Sequence, residues 1–409
     1  RSGPDSHCFD RGSLGLMHVT IVTAFPEFFG DFLSTSILGR AVKQGLVRVD
    51  LVDLREFGRG GYRQIDDYAF GSGGMVLAAP PLVDALRAAG ELGEGDPFVV
   101  YPSPQGCVLT QEIVESLARQ EHVVILCGHY EGLDERFVER EVDLEVTVGD
   151  CVLTGGEIPA MAIVDAMSRL VPGVVGRGEA VAEDSFYRGM LDHPHYTRPA
   201  SWEGRTVPEV LLGGNASEIH SWRRAKAVER TLARRPDLLS RAAIRGYLAG
   251  NVYLAVMGDA EVFPPPFVSD VRRLCRTYGL GRPVFVVTDR EGRRSLESAA
   301  GVEGDPVLSP KIFGSLEWAI DWIERKEKGA PLLRIAVLDA ACRGSLHALE
   351  VKRRCLEHPG PVLLLFPTLP EEWRGLEGGF LVAGLFDGGE TLPLTARAAV
   401  ALDRILGGR

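Results

Sequence analysis

The chain has 409 residues, of which 45% are hydrophobic, 25% charged and 8% aromatic. That composition suits two or three folded globular domains and excludes a mainly disordered or collagenous chain. Lys and Arg number 45 against 56 Asp and Glu, a net charge of −11, which excludes a wholly basic nucleic-acid coat protein but not a local basic face.

Residues 1–16 are polar and lack an apolar signal-peptide core, so they read as a tail or an expression remnant. From Met17 to about Val175 short apolar runs alternate with helical stretches. His18–Ala24, Val47–Val52, Phe98–Tyr101 and His122–Cys127 read as strands, and Pro80–Ala89, Gln111–Gln120 and Glu157–Leu170 as helices. Such alternation predicts an α/β fold with a mostly parallel sheet and helices on both faces. The ligand site of such a sheet is expected in the loops beyond the strand carboxyl ends.

Pro172–Gly178 is a break, after which the chain turns loop-like and then helical. Asn215 and Glu218 have capping-box spacing, and Pro236 ends the helix they start. From Arg223 onward that helix carries Arg223, Arg224, Lys226, Arg230, Arg234 and Arg235 against Glu229 alone. A cationic stripe in an acidic chain suits a phosphate backbone, although a charge run is more often just a solvated face. From Asn251 a second α/β pattern begins, with strands at Val252–Met257, Val284–Thr288, Ile335–Asp339 and Val362–Phe366 and helices near Ser315–Glu327 and Thr391–Leu406.

The longest apolar stretches, such as Val123–Cys127 and Pro361–Phe366, are far below the ~20 residues of a membrane span, so no membrane partner is expected. Seven cysteines with no C-x-x-C pair argue against a disulfide framework or a zinc ribbon and for a reducing, cytoplasmic setting.

Three glycine-rich turns stand out in the first α/β region: Phe70–Met75, Cys127–Arg136 and Gly149–Met161. Glycine lets backbone amides approach and grip a ligand directly. None of the three continues into the Gly-Lys-Ser/Thr of a P-loop, and Phe25-Pro-Glu-Phe stands where a dinucleotide fingerprint would follow the first strand. The common nucleotide-phosphate motifs are excluded.

These turns and their neighbours closely resemble the TrmD family of bacterial tRNA (guanine-N1)-methyltransferases, of the SPOUT class. The resemblance covers roughly Met17 to Leu239. It rests on Thr23–Phe29, Gly39-Arg-Ala-Val, Asp66–Asp67 through Met75, Ser103-Pro-Gln-Gly, Gly128–Arg136, Gly149–Met161, Glu183-Asp-Ser-Phe and Leu191–Pro199, in this order and at these intervals. It implies a SPOUT trefoil-knotted parallel-sheet domain over residues 17–175 and a small helical tRNA-binding domain over 176–250. It also implies a homodimer and methylation of N1 of the guanosine just 3′ of the tRNA anticodon.

By position, the resemblance assigns S-adenosylmethionine contacts to Tyr101, Pro102, Ser103, Gly128, Tyr130, Glu131, Val148, Gly149, Asp150, Cys151, Val152, Leu153, Gly155 and Gly156. Asp184 falls on the base and Arg169 on the cation near guanine O6. Asp66 and Asp67 would face the target nucleotide, and Arg223, Arg224 and Lys226 the tRNA. Mg²⁺ dependence would put an ion near Glu131 or Asp184. His129 stands where the family usually has Arg, and Cys151 where a larger aromatic is usual; contacts through the backbone would tolerate both. The chemistry is consistent: guanine N1 carries a proton at neutral pH, so attack on an activated methyl needs a base and a partner for the charge growing on O6.

Blander readings stand beside these. Asp184 also fits an N-cap, Arg169 a surface ion pair, Asp66 and Asp67 turn caps, and Glu131 a loop-ordering role. His193 and His195 flank a proline like zinc ligands, but no third ligand has suitable spacing, which favours a structural or RNA-facing role. A silent RNA-binding knot protein is the alternative function from another class.

Residues 251–409 resemble a second SPOUT-like RNA methyltransferase-family domain through Asn251-Val-Tyr-Leu-Ala, Arg276–Leu280, Pro361–Phe366 and Ala398–Arg404. The glycine-rich cofactor loop of that family reads here Pro367-Thr-Leu-Pro-Glu-Glu, and 386–395 also departs from its pattern. Proline removes an amide donor and the conformations glycine allows, so a degenerate domain serving dimerisation or RNA docking is expected. A second RNA methylation by this domain is the remaining alternative.

Overall fold

The computed structural model describes residues 16–71, 73–175, 184–186, 189–258, 263, 265–300, 309–338, 345–368, 379–384 and 393–407. The chain forms two compact units, 1–182 and 183–409.

The first unit is built on β1 (Met17–Thr23), α1 (Gly30–Ser34), α2 (Ser36–Lys43), β2 (Val47–Asp53), β3 (Asp66–Tyr68), β4 (Met75–Leu77), α3 (Ala79–Gly90) and β5 (Phe98–Val108). It continues with α4 (Gln111–Leu117), β6 (Val123–Leu126), α5 (Glu135–Glu141), β7 (Leu144–Thr147) and α6 (Glu157–Ser168). Five strands make one parallel sheet in the order β2-β1-β6-β5-β7, and β3 and β4 form a separate antiparallel hairpin.

Successive strand residues point to opposite faces, and both faces are covered. Val19, Ile21, Val123 and Ile125 pack with Ala160, Ile163, Val164 and Met167 of α6 on one side. Val22, Val124 and Leu126 pack with Leu82, Ala85, Leu86 and Ala89 of α3 on the other. Near the start of β1, the buried His18 stacks on the buried His122 with ring centroids 4.2 Å apart. His18 Nε2 lies 2.7 Å from Asp50 Oδ2, and His122 Nε2 lies 2.9 Å from Thr20 Oγ1.

β5 is longer than the sequence pattern indicates. It pairs with β6 through Val100 and with β7 through Pro102, bulges between Pro102 and Cys107, then rejoins β7 at Cys107 and Val108. Gly106 makes the re-entry possible, because a Cβ there would sit 2.3 Å from the Val146 amide nitrogen. The bulge takes Ser103–Gly106 out of the ladder with β7.

The second unit contains a small hairpin, β8 (Ser201–Trp202) with β9 (Arg205–Thr206), then α7 (Glu209–Leu212) and α8 (Ala216–Arg234). The hairpin corrects the reading of the stretch between the Pro172–Gly178 break and the helix as loop alone. The Asn215 side chain accepts from the amides of Ser217 and Glu218 and donates to Glu218 Oε1, so the cap forms where the spacing puts it.

After it come β10 (Val252–Met257), α9 (Pro265–Thr277), β11 (Val284–Val286), α10 (Arg290–Ala300), β12 (Lys311–Phe313) and α11 (Leu316–Lys326). β13 (Leu333–Leu338), α12 (Ala348–Glu357), β14 (Val362–Pro367), β15 (Leu381–Gly384) and α13 (Leu394–Leu406) complete the unit. The sheet is parallel, in the order β12-β11-β10-β14-β13-β15.

The helical segment and this sheet share one core. Met190, Val228, Leu239, Ala242, Ile244 and Leu248 lie in the same apolar cluster as Val252, Leu254, Val256, Leu364 and Phe366. The buried Lys352 of α12 reaches across, donating to the carbonyls of Leu239 (2.9 Å), Ala242 (2.8 Å) and Gly407 (3.1 Å). The cofactor-loop positions singled out in this region, Leu369–Glu372 and Phe386–Leu392, lie outside the described residues.

Candidate active site

A cavity of about 280 Å³ opens at the carboxyl ends of β5, β6 and β7 in the first unit. Tyr101, Pro102 and Ser103 line it from β5, Gly128–Leu133 from the turn after β6, and Val146–Val148 with Cys151–Gly156 from the turn after β7. Of the predicted cofactor residues, all line this cavity except Gly149 and Asp150, which lie in the same turn outside it.

Close backbone approach explains the glycines. A Cβ on Gly156 would lie 2.7 Å from Cys127 Cα and 2.8 Å from the Gly128 nitrogen. The two turns are also tied directly, since Gly156 N–H donates to the Gly128 carbonyl at 2.9 Å. A Cβ on Gly128 would come within 2.9 Å of the Tyr101 ring, whose burial pushes its phenol up. Tyr130 itself takes a left-handed backbone, φ 59°, and is largely exposed.

Beneath the glycine turns lies a polar network that sequence reasoning missed. Glu157, at the first position of α6, is buried. Its carboxylate accepts from Thr23 Oγ1 at 2.7 Å and lies 2.8 and 2.9 Å from His129 Nε2. Thr23 Oγ1 also accepts from the Phe25 amide, and the Phe25 ring lies 4.9 Å from that of His129. A Cβ on Gly155 would strike both His129 and Glu157, at 2.5 Å from each. The network therefore fixes the end of β1 to both turns that make the cavity.

The β3–β4 hairpin closes on the same turn. Glu131 N–H donates to the Met75 carbonyl, Leu77 N–H to Gly132, and Asp134 N–H to Leu77. The Glu131 side chain lies over Gly74, where a Cβ would meet its Cγ at 2.2 Å. Partial burial and the nearby Asp66 carboxylate push the Tyr130 phenol up, which places Asp66 against a residue that lines the cavity. Asp67 accepts from the Tyr68 amide at 2.8 Å.

Arg169 is exposed and follows the last residue of α6. Twelve residues at 1.5 Å each separate it from Glu157 by about 18 Å along the helix, and it does not line the cavity. Asp184 belongs to the second unit, in a turn held from both ends. Phe186 N–H donates to the Met190 carbonyl, and Ser185 Oγ accepts from the Asp192 amide. On α8, Arg223 is exposed, Arg224 donates to the Gly246 carbonyl, and Lys226 pairs with Glu229. Among the described residues one group of three side chains could hold a metal, Asp192 with His193 and His195, and it includes neither Glu131 nor Asp184.

A family model described as tRNA (Guanine-1)-methyltransferase TrmD matches residues 17–241. The chain belongs to this family. A Ruminiclostridium cellulolyticum protein named tRNA (guanine-N(1)-)-methyltransferase is 46% identical over 226 residues, 55% of this chain and 97% of that protein. A Moorella thermoacetica protein of the same name is 52% identical over 229 residues, 55% of this chain and 91% of its own length. For a Chlamydia abortus protein of that name the figures are 48% over 225 residues, 55% of this chain and 62% of that protein. The family match takes in the first sheet, the cavity, Arg169, Asp184 and α8; the second sheet lies beyond it.

Proposed function

We propose that this enzyme methylates N1 of the guanosine 3′-adjacent to the tRNA anticodon, with S-adenosylmethionine bound in the cavity between the two glycine turns. The observation that carries the reading is the convergence of Tyr101–Ser103, Gly128–Glu131 and Cys151–Gly156 on one cavity within the family's matched region. Glycines at 128, 155 and 156 let the two turns pack against Tyr101, His129 and Cys127, which brings their backbones together around the cavity. The sulfonium of the bound donor supplies an already electrophilic methyl group. The protein then has only to place the acceptor in line and take its proton.

Asp184 takes the N1 proton onto its carboxylate, and Arg169 faces the charge developing on O6. Because Arg169 stands a helix length from the cavity of its own chain, we assign it to the cavity of a second copy in a homodimer. We assign residues 17–175 the knotted SPOUT topology from the family match over residues 17–241. Asp66, beside Tyr130, is placed to meet the target nucleotide. Arg223, Arg224 and Lys226 supply positive charge for the tRNA backbone. We assign residues 251–409 a SPOUT-like fold that has lost its donor site, on the strength of Pro367 ending β14. No helix among the described residues is long and apolar enough to cross a membrane.

The test is transfer of labelled methyl to tRNA transcripts carrying either guanosine or 1-methylguanosine after the anticodon. The first should accept label and the second none. Asp184→Asn should lower turnover by about 10²–10⁴ while donor binding stays unchanged. Equal labelling of both transcripts, or an unaffected Asp184→Asn enzyme, would refute the assignment.

A further inference from the structure

We infer that Asp192, His193 and His195 form a binding site for one divalent transition-metal ion of the zinc type. One ligand atom from each, a carboxylate oxygen and two imidazole nitrogens, lies within 4.8 Å of the others. His193 Nδ1 is 2.6 Å from Asp192 Oδ1, and His195 Nε2 is 2.7 Å from Asp192 Oδ2. The two ring centroids lie 4.5 Å apart, with the rings tilted by 48°. Two imidazoles and a carboxylate on one side of a centre suit zinc, iron(II) or manganese rather than magnesium, which prefers all-oxygen shells.

The ligands are held before any ion arrives. Leu191 N–H donates to Thr231 Oγ1 and Asp192 N–H to Ser185 Oγ, so the segment is pinned to the fully buried Thr231 of α8 and to the turn carrying Asp184. His193 is buried against the edge of Trp222, while His195 is largely exposed. The open coordination positions therefore face outward on the His195 side. The guanidinium of Arg223 faces His193, and the Asp192 carboxylate offsets its charge.

Ligand atoms on tetrahedral zinc stand about 3.4 Å apart, given bonds of about 2.1 Å. Each Asp192–imidazole spacing thus has to open by less than about 1 Å, by movement of the exposed His195 on one side and of the Asp192 carboxylate away from the buried His193 on the other. Each imidazole binds as the neutral ring, with the lone pair of the nitrogen now facing Asp192 turned to the ion and the ring proton on the other nitrogen.

The test uses the full chain without an affinity tag, freed of metal, and titrated with Zn²⁺ alone against a chromophoric chelator; Co²⁺ then reports geometry through its visible absorption. One equivalent should bind per chain, and His195→Gln and Asp192→Asn should each weaken that site by about tenfold or more. His195 is exposed, so its replacement should leave the circular dichroism spectrum unchanged and keep the comparison valid. Absence of a saturable site, or a site of equal affinity in both folded variants, would overturn the inference.

Discussion

At the scale of single residues, the buried His122 sets an acid limit on the first unit. Burial first, and the adjacent His18 ring second, lower its pKa from 6.5 to about 4. Between those values the unfolded chain binds a proton that the folded chain refuses, so stability is complete above pH 6.5 and falls as the pH drops towards 4. At about 1.4 kcal/mol per unit the loss approaches about 3 kcal/mol. Urea midpoints of wild type and His122→Gln from pH 7 to pH 4 should show a steeper decline for wild type. Two glycines make a second comparison. In Gly156→Ala the new methyl meets backbone that cannot yield, so donor binding should vanish and the unit should unfold earlier in urea. In Gly74→Ala it meets only the exposed Glu131 side chain, which can swing away, so stability should change little.

Much of the site could be seen in the sequence at this scale, and its omissions have physical causes. Glycine turns are conspicuous because close approach leaves little choice of residue. Glu157 escaped notice because a buried carboxylate is recognised by its partners, and Thr23 and His129 are far away in sequence. The grouping of Asp192 with His193 and His195 is not legible in the sequence, because adjacent residues give no ligand spacing and only the fold of the segment brings their polar atoms together.

At the scale of elements, the parallel strands are readable where apolar or β-branched residues run almost unbroken, as in β1, β6, β10 and β14. The second half of β5 was hidden because Pro102, Pro104 and Gly106 resemble a turn while the chain in fact bulges and rejoins β7. The β3–β4 hairpin is too short to carry a period, and α5 and β7 are masked by charges at Glu139, Arg140, Glu141 and Glu145. β1, the turn after β6 and α6 meet at Glu157, so damage there should be felt in all three. Glu157→Gln replaces an anionic acceptor serving Thr23 and His129 with an amide. It should cost the first unit about 1–3 kcal/mol in urea unfolding and weaken donor binding in calorimetry. An unchanged binding constant would mean that the cavity does not depend on this junction.

At the scale of the whole chain, the sequence pattern suggested a boundary near residue 250, because a new strand follows a helical segment. Periodicity reports which face of an element is apolar but not what covers it. The cover turns out to be shared, with Leu239, Ala242, Ile244 and Leu248 in the core of the second sheet. A chain ending at residue 250 should therefore expose that apolar face. Its first unit should retain donor binding, while α8 and the turn carrying Asp184 should lose protection in hydrogen exchange and tRNA affinity should fall. A truncated chain that binds tRNA as well as the full one would show that the helical segment stands alone.

The ammonium of Lys352 gives that junction a history as well as a strength. Its three carbonyl partners come from the family's own stretch of chain, from just beyond that stretch, and from the far end of the appended domain. A lineage could not discard the appendage by a single stop codon without stranding two of those oxygens away from their donor. Those two carbonyls would then have to find water or another donor in place of the buried ammonium.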